Sequence, residues 1–245
     1  MAPRFFLPIG LMPYTEVVLS EASAHHAARV LRLGVGDAVT LFDGTGVEFA
    51  GNIIFIGRQE VRVRLAAGRS VSRESPLQVT LIQGISSGDR MDYTLQKAVE
   101  LGVARIVPVF CARSVVRLVG ERAQKRQQHW QQLVVAACEQ CGRNRVPEVV
   151  PAQPLESAIS SFGEKLGAGL CLLLDPLAEQ GLRALASPSQ AVFLLAGPEG
   201  GMTDDERRLA QRAGFLGIRL GARVLRTETA ALAAMAAMQL AWGDF

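Results

Sequence analysis

Two glycine-containing loops near the C-terminus carry the residues whose types and spacing could do chemistry. The first reads Gly197-Pro198-Glu199-Gly200-Gly201 and follows an apolar run, 191–196, that predicts a buried parallel strand. The second begins at Gly221, after a predicted strand over 215–220, and leads through Arg226 into a helix. Glycine leaves backbone N–H and C=O groups open to a ligand because no side chain covers them. Since open α/β sheets bind ligands at the carboxyl ends of neighbouring strands, these loops predict a small-molecule site.

Residues beside the two loops are candidates for electrostatic catalysis and for helix capping. Arg226 precedes a helix N-terminus, where the helix dipole already favours an anion, so it could stabilise negative charge on a substrate. Position alone is equally compatible with an exposed surface arginine. Thr227 is predicted to cap the C-terminal helix, while Thr203 and Glu206 have the spacing of a capping box for the helix after the first loop.

Several common chemical motifs are absent or incomplete in this sequence. The first loop does not follow the dinucleotide pattern G-x-G-x-x-G, and it lacks the lysine of a phosphate-binding loop. Cys138 and Cys141 have the spacing of half a zinc site, but no second pair completes it, so no metal is expected. The four cysteines show no disulfide framework, which favours a reducing, cytoplasmic environment.

The composition favours a globular protein with a nucleic-acid partner. No apolar run is long and uncharged enough to predict a membrane span, and the N-terminus lacks the apolar segment of a signal peptide. The net charge is only +3, yet the basic residues are arginines apart from Lys97, Lys125 and Lys165. Arginine binds phosphates through paired N–H groups and stacks on bases, although GC-rich codon usage would produce the same bias.

The first 73 residues predict a small β-rich domain. Strands are expected over 39–42, 47–56 and 60–65, with a hairpin turn at Asp43-Gly44-Thr45-Gly46. One helix is expected over 23–33, which would place Arg29 and Arg32 on a single face. Short strands with one helix indicate a compact barrel.

From residue 77 the pattern changes to alternating strands and helices, after a polar linker over 68–76. Strands are expected over 77–82, 106–110 and 170–174, and helices over 91–101 and 121–142. Such alternation predicts an α/β domain with a parallel sheet flanked by helices.

Taken together, these stretches resemble the 16S rRNA (uracil1498-N3)-methyltransferases of the SPOUT class over essentially the whole chain. The matching segments are Arg4-Phe5-Phe6, 26–32 with Gly36-Asp37, 97–103, Arg113-Ser114, Glu139-Gln140 with Arg143, Gly197–Gly201 and Leu220–Ala230. One departure is Ser87, because the family usually has a lysine before the Gly-Asp pair at this point.

The resemblance implies a fold, a cofactor and partners. It implies a PUA-like β-barrel RNA-binding domain over 1–73 and a SPOUT α/β trefoil-knot methyltransferase domain over 74–245, with the knot in its C-terminal part. The cofactor would be S-adenosyl-L-methionine, and the partner would be 16S rRNA of the 30S ribosomal subunit in the cytoplasm. A homodimer is also implied; Leu232, Met235, Met238 and Leu240 of the C-terminal helix fit either its interface or ordinary core packing.

The resemblance also assigns roles to individual residues. Arg226 would stabilise the uracil anion, while Glu199 and Glu139 are weaker candidates for steering the N3 proton. The expected cofactor contacts are Leu174, Gly197, Pro198, Glu199, Gly200, Leu220, Gly221, Val224, Leu225 and Thr229. The expected RNA contacts are Arg4, Arg29, Arg32, Lys97, Arg113 and Arg143. The alternatives are a related enzyme acting on tRNA or on a ribose 2′-hydroxyl, and a non-catalytic RNA-binding protein.

Overall fold

A computed structural model of the 245-residue chain describes residues 2–58, 60–116, 118–163, 166 and 168–245. The chain divides into two compact units. The first comprises Met1–Glu74 with Cys138–Val146, and the second comprises Ser75–Ala137 with Pro147–Phe245.

The first unit is built on a five-stranded sheet with the order β1-β3-β4-β5-β2. Its strands are β1 (Arg4–Phe6), β2 (Glu16–Val18), β3 (Ala38–Phe42), β4 (Val47–Ile56) and β5 (Val61–Ser70). β1 pairs parallel to β3, and the other pairs are antiparallel. The predicted hairpin turn joins β3 to β4, and its Asp43 Oδ1 accepts a hydrogen bond from the Thr45 backbone N–H at 3.0 Å. The short strands β1 and β2 were not predicted because three residues show no periodicity.

The helix of the first unit ends earlier than the sequence predicts. A short helix α1 (Glu21–His25) passes into a π-helical turn (His26–Val30), which the Leu31 N–H closes onto the His26 carbonyl at 2.9 Å. Arg32 then adopts a left-handed backbone with φ of 56°. The prediction that Arg29 and Arg32 share one helical face is therefore wrong, although both side chains are exposed.

The second unit confirms the predicted α/β class, with parallel pairing throughout its seven-stranded sheet. The strand order is β12-β10-β11-β6-β7-β8, and β9 also pairs with β7. The strands are β6 (Val79–Gly84), β7 (Val103–Phe110), β8 (Glu148–Val149), β9 (Gln153–Pro154), β10 (Leu170–Leu174), β11 (Val192–Ala196) and β12 (Leu216–Ile218). The helices are α2 (Asp89–Glu100), α3 (Gly120–Cys141), α4 (Leu155–Phe162), α5 (Asp204–Arg212) and α6 (Thr227–Trp242), with a 3₁₀ turn at Leu182–Ala184.

The sheet order brings the two glycine loops together. β10 lies between β11 and β12, and all three run in the same direction. Every residue of β11 is buried, as its continuous apolar run predicts. The loops that follow β11 and β12 therefore leave the same edge of the sheet. The knot implied by the resemblance stays a prediction, because strand order does not define how the loops thread.

In the part of the chain that the structure describes, no helix is both long and apolar enough to cross a membrane.

Candidate cofactor and catalytic site

A pocket of about 390 Å³ lies at the carboxyl ends of β10, β11 and β12 in the second unit. Its lining comprises Arg90, Arg113, Leu173–Pro176, Ala196–Glu199, Gly201, Met202, Arg207, Ile218–Gly221, Arg223–Glu228 and Ala230. All the predicted cofactor contacts except Gly200 and Thr229 belong to this lining. The volume falls within the range of small-molecule sites. The lining combines apolar walls with nine charged residues, six of which are arginines.

The first glycine loop is held by a hydrogen-bonded chain from two other elements. The Thr227 hydroxyl donates to the Gly197 carbonyl oxygen at 2.6 Å and accepts from the Gln83 side-chain amide at 3.1 Å. Gln83 is fully buried at the end of β6. A Cβ on the neighbouring Gly84 would lie 2.4 Å from the Pro198 nitrogen, so this close approach requires glycine. The chain therefore joins the first loop to β6 and to the start of α6.

Thr227 is not the N-cap of the C-terminal helix, contrary to the prediction. Arg226 occupies the N-cap position with an extended backbone and makes no side-chain capping hydrogen bond. The predicted capping box at α5 is confirmed, because Thr203 and Glu206 bond each other reciprocally.

One oxygen of the Glu199 carboxylate accepts three hydrogen bonds. This oxygen, Oε1, accepts hydrogen bonds from the Ser87 N–H at 3.0 Å, the Ser87 hydroxyl at 2.8 Å and the Arg90 guanidinium at 2.6 Å. Burial would raise the pKa of Glu199, but the hydrogen bonds from Arg90 and Ser87 outweigh it and hold that pKa below its usual 4.5. A carboxylate that stays ionised and bonded in this way is a weak proton acceptor. This geometry favours a positioning role for Glu199 over proton transfer. Arg90 provides a cation beside Ser87, where the resemblance leads us to expect a lysine.

Four exposed arginines of the lining form no ion pair with a described residue, namely Arg113, Arg219, Arg223 and Arg226. Arg226 is exposed, and its guanidinium makes no hydrogen bond or ion pair with any described residue. Arg113 is also exposed, and its Nη1 donates to the Gly200 carbonyl oxygen at 3.2 Å. A Cβ on Gly200 would lie 2.9 Å from the Arg113 Cβ, so Gly200 faces the arginine rather than the pocket.

Six charged residues in the lining were not predicted as site residues, namely Arg90, Asp175, Arg207, Arg219, Arg223 and Glu228. Asp175 is buried directly after β10, and its Oδ2 lies 4.0 Å from Arg207 Nε. The Oε2 atom of Glu228 is buried and has no hydrogen-bond partner among the described residues. Asp175 could have been found, because polar residues at the carboxyl end of a parallel strand mark ligand sites. Arg90 and Arg207 lie on helices whose sequence gives no comparable signal.

Two of the predicted RNA contacts are corrected by their burial in the first unit. Arg4 is bonded to Glu48 at 2.9 Å and also to Asn144, and its side chain is only 6% exposed. Arg143 is bonded to Glu74, and its side chain is 7% exposed. Because these guanidinium groups are buried among their partners, the structure does not present them to RNA. They stabilise the first unit instead.

The remaining predicted residues lie outside the pocket lining. Glu139, in the first unit, accepts a hydrogen bond from the Phe6 N–H at 2.8 Å. Its burial raises the pKa of the carboxyl despite that bond. Lys97 lies half-buried on α2 and forms an ion pair with Glu100 at 2.7 Å.

A metal site is not evident in the structure. Across the described residues, no group of three or more His, Cys, Asp and Glu side chains is placed to hold an ion. Burial raises the pKa of the Cys138 thiol to about 12, which keeps it protonated and unreactive.

Comparison with known proteins gives a consistent result along the chain. Residues 73–239 match the RNA methyltransferase domain, and residues 19–66 match the RNA methyltransferase PUA domain. Ribosomal RNA small subunit methyltransferase E of Buchnera aphidicola (Schizaphis graminum strain) is 32% identical, over 99% of this chain and 97% of the relative. The Bacillus subtilis protein of the same name is 30% identical, over 96% and 95%.

Solved structures agree with these relatives. A methyltransferase of Legionella pneumophila in complex with S-adenosylmethionine has a TM-score of 0.94 and 40% identity, covering all of both chains. Ribosomal RNA small subunit methyltransferase E of Neisseria gonorrhoeae, also bound to S-adenosylmethionine, has a TM-score of 0.93 and 42% identity, again over the full length of both.

Proposed function

We propose that this chain, which belongs to the ribosomal RNA small subunit methyltransferase E family, methylates N3 of a specific uridine in 16S rRNA. The methyl donor is S-adenosylmethionine. The observation that carries this proposal is the pocket between the two glycine loops, with Arg226 exposed at its edge and unpaired among the described residues.

The residues of the pocket fit S-adenosylmethionine. Leu174, Leu220 and Leu225 provide apolar walls for the adenosine, and the backbone of Gly197 and Gly221 lies in the same lining. Glu228 adds negative charge with an unsatisfied carboxylate oxygen, which suits a cationic ligand. When bound, S-adenosylmethionine supplies an electrophilic methyl group on a positively charged sulfur.

The side chains around the pocket account for activation of the uracil. N3 lies on the Watson–Crick edge, so the base must leave its stack to reach the site. N3 becomes nucleophilic when it gives its proton to solvent water, and the resulting negative charge is shared with O2 and O4. The Arg226 guanidinium stabilises that charge from the N-terminus of α6, where the helix dipole acts in the same sense. Glu199, held by Ser87 and Arg90, positions the first loop.

RNA contacts are proposed for exposed cations of both units. Arg113 lies in the pocket lining, and Arg29 and Arg32 are exposed on the first unit. We assign RNA binding to the PUA-like domain over 1–73 and methyl transfer to the knotted domain over 74–245. Phosphate contacts by such arginines would make RNA affinity decrease as the salt concentration rises.

A homodimer working in the cytoplasm is part of the same proposal. Met235 and Met238 of α6 are fully buried within their own chain, so they cannot form the interface. Leu240 is 73% exposed on the same helix and is the better candidate. Leu240→Asp is expected to shift the protein from dimer to monomer in light scattering. A dimer of unchanged mass would exclude this face as the interface.

The decisive experiment analyses nucleosides of 16S rRNA by mass spectrometry in a strain that lacks the protein. We expect 3-methyluridine to disappear, and to return with the wild-type gene but not with Arg226→Ala. Persistence of 3-methyluridine, with loss of a methylated tRNA base or a 2′-O-methyl group instead, would identify the related enzyme class. Calorimetry with S-adenosylmethionine tests the remaining alternative, because a non-catalytic RNA-binding protein should show no binding.

A further inference from the structure

The loop that follows β7 carries Arg113 to the pocket, and few hydrogen bonds between described residues hold it in place. Hydrogen bonds between Cys111 and Ser114, at 3.0 and 3.1 Å, close the turn locally without attaching it to a neighbour. One attachment is made by the Ala112 N–H, which donates to the Glu206 Oε1 atom at 2.7 Å. The position of Arg113 therefore depends on a carboxylate of α5.

Glu206 uses both of its carboxylate oxygens. Its Oε2 accepts from the Thr203 N–H at 2.8 Å and the Thr203 hydroxyl at 3.0 Å, which completes the capping box of α5. Its Oε1 is then free to accept from Ala112 in the other loop. Hydrogen bonds to an ionised carboxylate are stronger than neutral ones. A capping box needs only the bonds between Glu206 and Thr203, so the bond from Ala112 is additional to ordinary capping.

The loop that carries Arg113 and the first glycine loop are also in direct contact at Arg113. A Cβ on Gly200 would lie 2.9 Å from the Arg113 Cβ and 3.0 Å from the Arg113 carbonyl oxygen. The Arg113 guanidinium returns to the Gly200 carbonyl at 3.2 Å. The bond from Ala112 to Glu206 and the contacts with Gly200 therefore hold Arg113 in the pocket lining.

We propose that Glu206 is a positioning residue that couples the Arg113 loop to the first glycine loop. It would act through Arg113, so that the RNA-facing cation and the cofactor loop keep a fixed separation during methyl transfer. The kinetic part of this proposal rests on the proposed function, whereas the anchoring part does not.

Limited digestion with trypsin tests the anchoring without any substrate. Trypsin cleaves after arginine, and Arg113 is exposed on this loop. Glu206→Ala is expected to increase the rate of cleavage after Arg113, read by mass spectrometry of the fragments. The matched control is Thr203→Ala, which removes half of the same capping box but keeps the bond from Ala112 to Glu206. Equal cleavage of Glu206→Ala and Thr203→Ala would overturn the proposal.

A double-mutant cycle tests the kinetic consequence. Glu206→Ala and Arg113→Ala are each expected to lower kcat/KM for the RNA by roughly ten- to a hundredfold, the loss expected for one charge-assisted hydrogen bond. The double variant should be no worse than Arg113→Ala alone, because residues that act through one another are not additive. The affinity for S-adenosylmethionine should stay close to wild type in Glu206→Ala.

One outcome distinguishes a positioning role of Glu206 from a purely structural role, and another tests the proposed function independently of Glu206. Fully additive losses in the cycle would show that Glu206 does not act through Arg113. If the wild-type protein left rRNA unmethylated, the proposed function would fall. The trypsin experiment would still decide whether Glu206 anchors the loop.

Discussion

Arginine is used in opposite ways by the two units of this protein. In the first unit, Arg4 is buried with Glu48 and Arg143 is buried with Glu74. In the second unit, Arg226 and Arg113 are exposed at the pocket, and Arg226 has no partner among the described residues. The same residue type therefore stabilises one unit and is available to a ligand in the other.

The difference follows from what surrounds each guanidinium. A buried charge is costly unless it is paired, and the Glu48 carboxylate accepts hydrogen bonds from Arg4, Arg69, Arg73 and Asn144. Arg226 has the reverse environment, because it adds a positive charge to the positive end of the α6 dipole. The Arg226 guanidinium and the N-terminal end of the α6 dipole both attract an anion at this position. An arginine that is already paired with a carboxylate, such as Arg4, attracts one much less.

The largest effect is expected from breaking the buried network with Glu48→Ala. This change leaves several arginines without their shared counter-charge, one of them buried. The free energy of unfolding should fall by about 3–5 kcal/mol, as for other buried pairs that lose one partner. Urea denaturation monitored by circular dichroism provides the measurement.

The control for Glu48 is Glu60→Ala on the surface of the same unit. Glu60 pairs with Arg62 at 2.5 Å, but both side chains are well exposed. Exposed pairs contribute little to stability, so this variant should unfold almost as the wild type does. If Glu48→Ala were as mild as Glu60→Ala, the buried arginines would not be structural.

The next largest effect is expected from Arg226→Ala, and it should appear in turnover rather than in stability. Loss of a group that stabilises charge in the transition state lowers kcat by about 10²–10³-fold. Affinity for S-adenosylmethionine, measured by calorimetry, and the urea midpoint should stay near wild type. Arg208→Ala, on the exposed surface of α5, provides a matched loss of charge. Wild-type turnover in Arg226→Ala would remove this residue from the mechanism.

The sequence predicts the site better than it predicts which arginines serve it. The strand predicted over 170–174 is confirmed, because a continuous apolar run between Gly169 and Asp175 is typical of a buried parallel strand. Burial of Arg4 could not be predicted, since its partners are 44 and 140 residues away. The prediction that Arg32 lies on the helix was wrong for a different reason. A π-helical turn followed by a left-handed residue ends the helix, and neither has a sequence signal as clear as glycine.

A pH series sharpens the description of the buried network. Burial opposes ionisation of Glu48, but its hydrogen bonds from Arg73, Arg4, Arg69 and Asn144 lower its pKa from 4.5 to about 2. Because the folded pKa is depressed, the stabilisation is complete above pH 4.5 and is lost as the pH falls towards 2.

Comparison with Glu48→Gln isolates this carboxylate from the others that titrate in acid. The difference in unfolding free energy between wild type and Glu48→Gln should be constant from neutral pH down to about 5 and should shrink below it. A difference that stayed constant down to pH 3 would mean that the pKa of Glu48 is not controlled by these arginines.

The smallest expected effect concerns the uncharged bonds that hold the pocket loop. Thr227→Val removes the hydroxyl that donates to Gly197 and accepts from Gln83, with little change in volume. A neutral hydrogen bond contributes about 1 kcal/mol, so affinity for S-adenosylmethionine should weaken roughly fivefold while the fold persists. Thr227→Ser keeps the hydroxyl and should restore affinity. If Thr227→Ser, which keeps the hydroxyl, weakened binding as much as Thr227→Val, the hydrogen bonds would not account for the loss, and the loop would be positioned by its close contact with Gly84 instead.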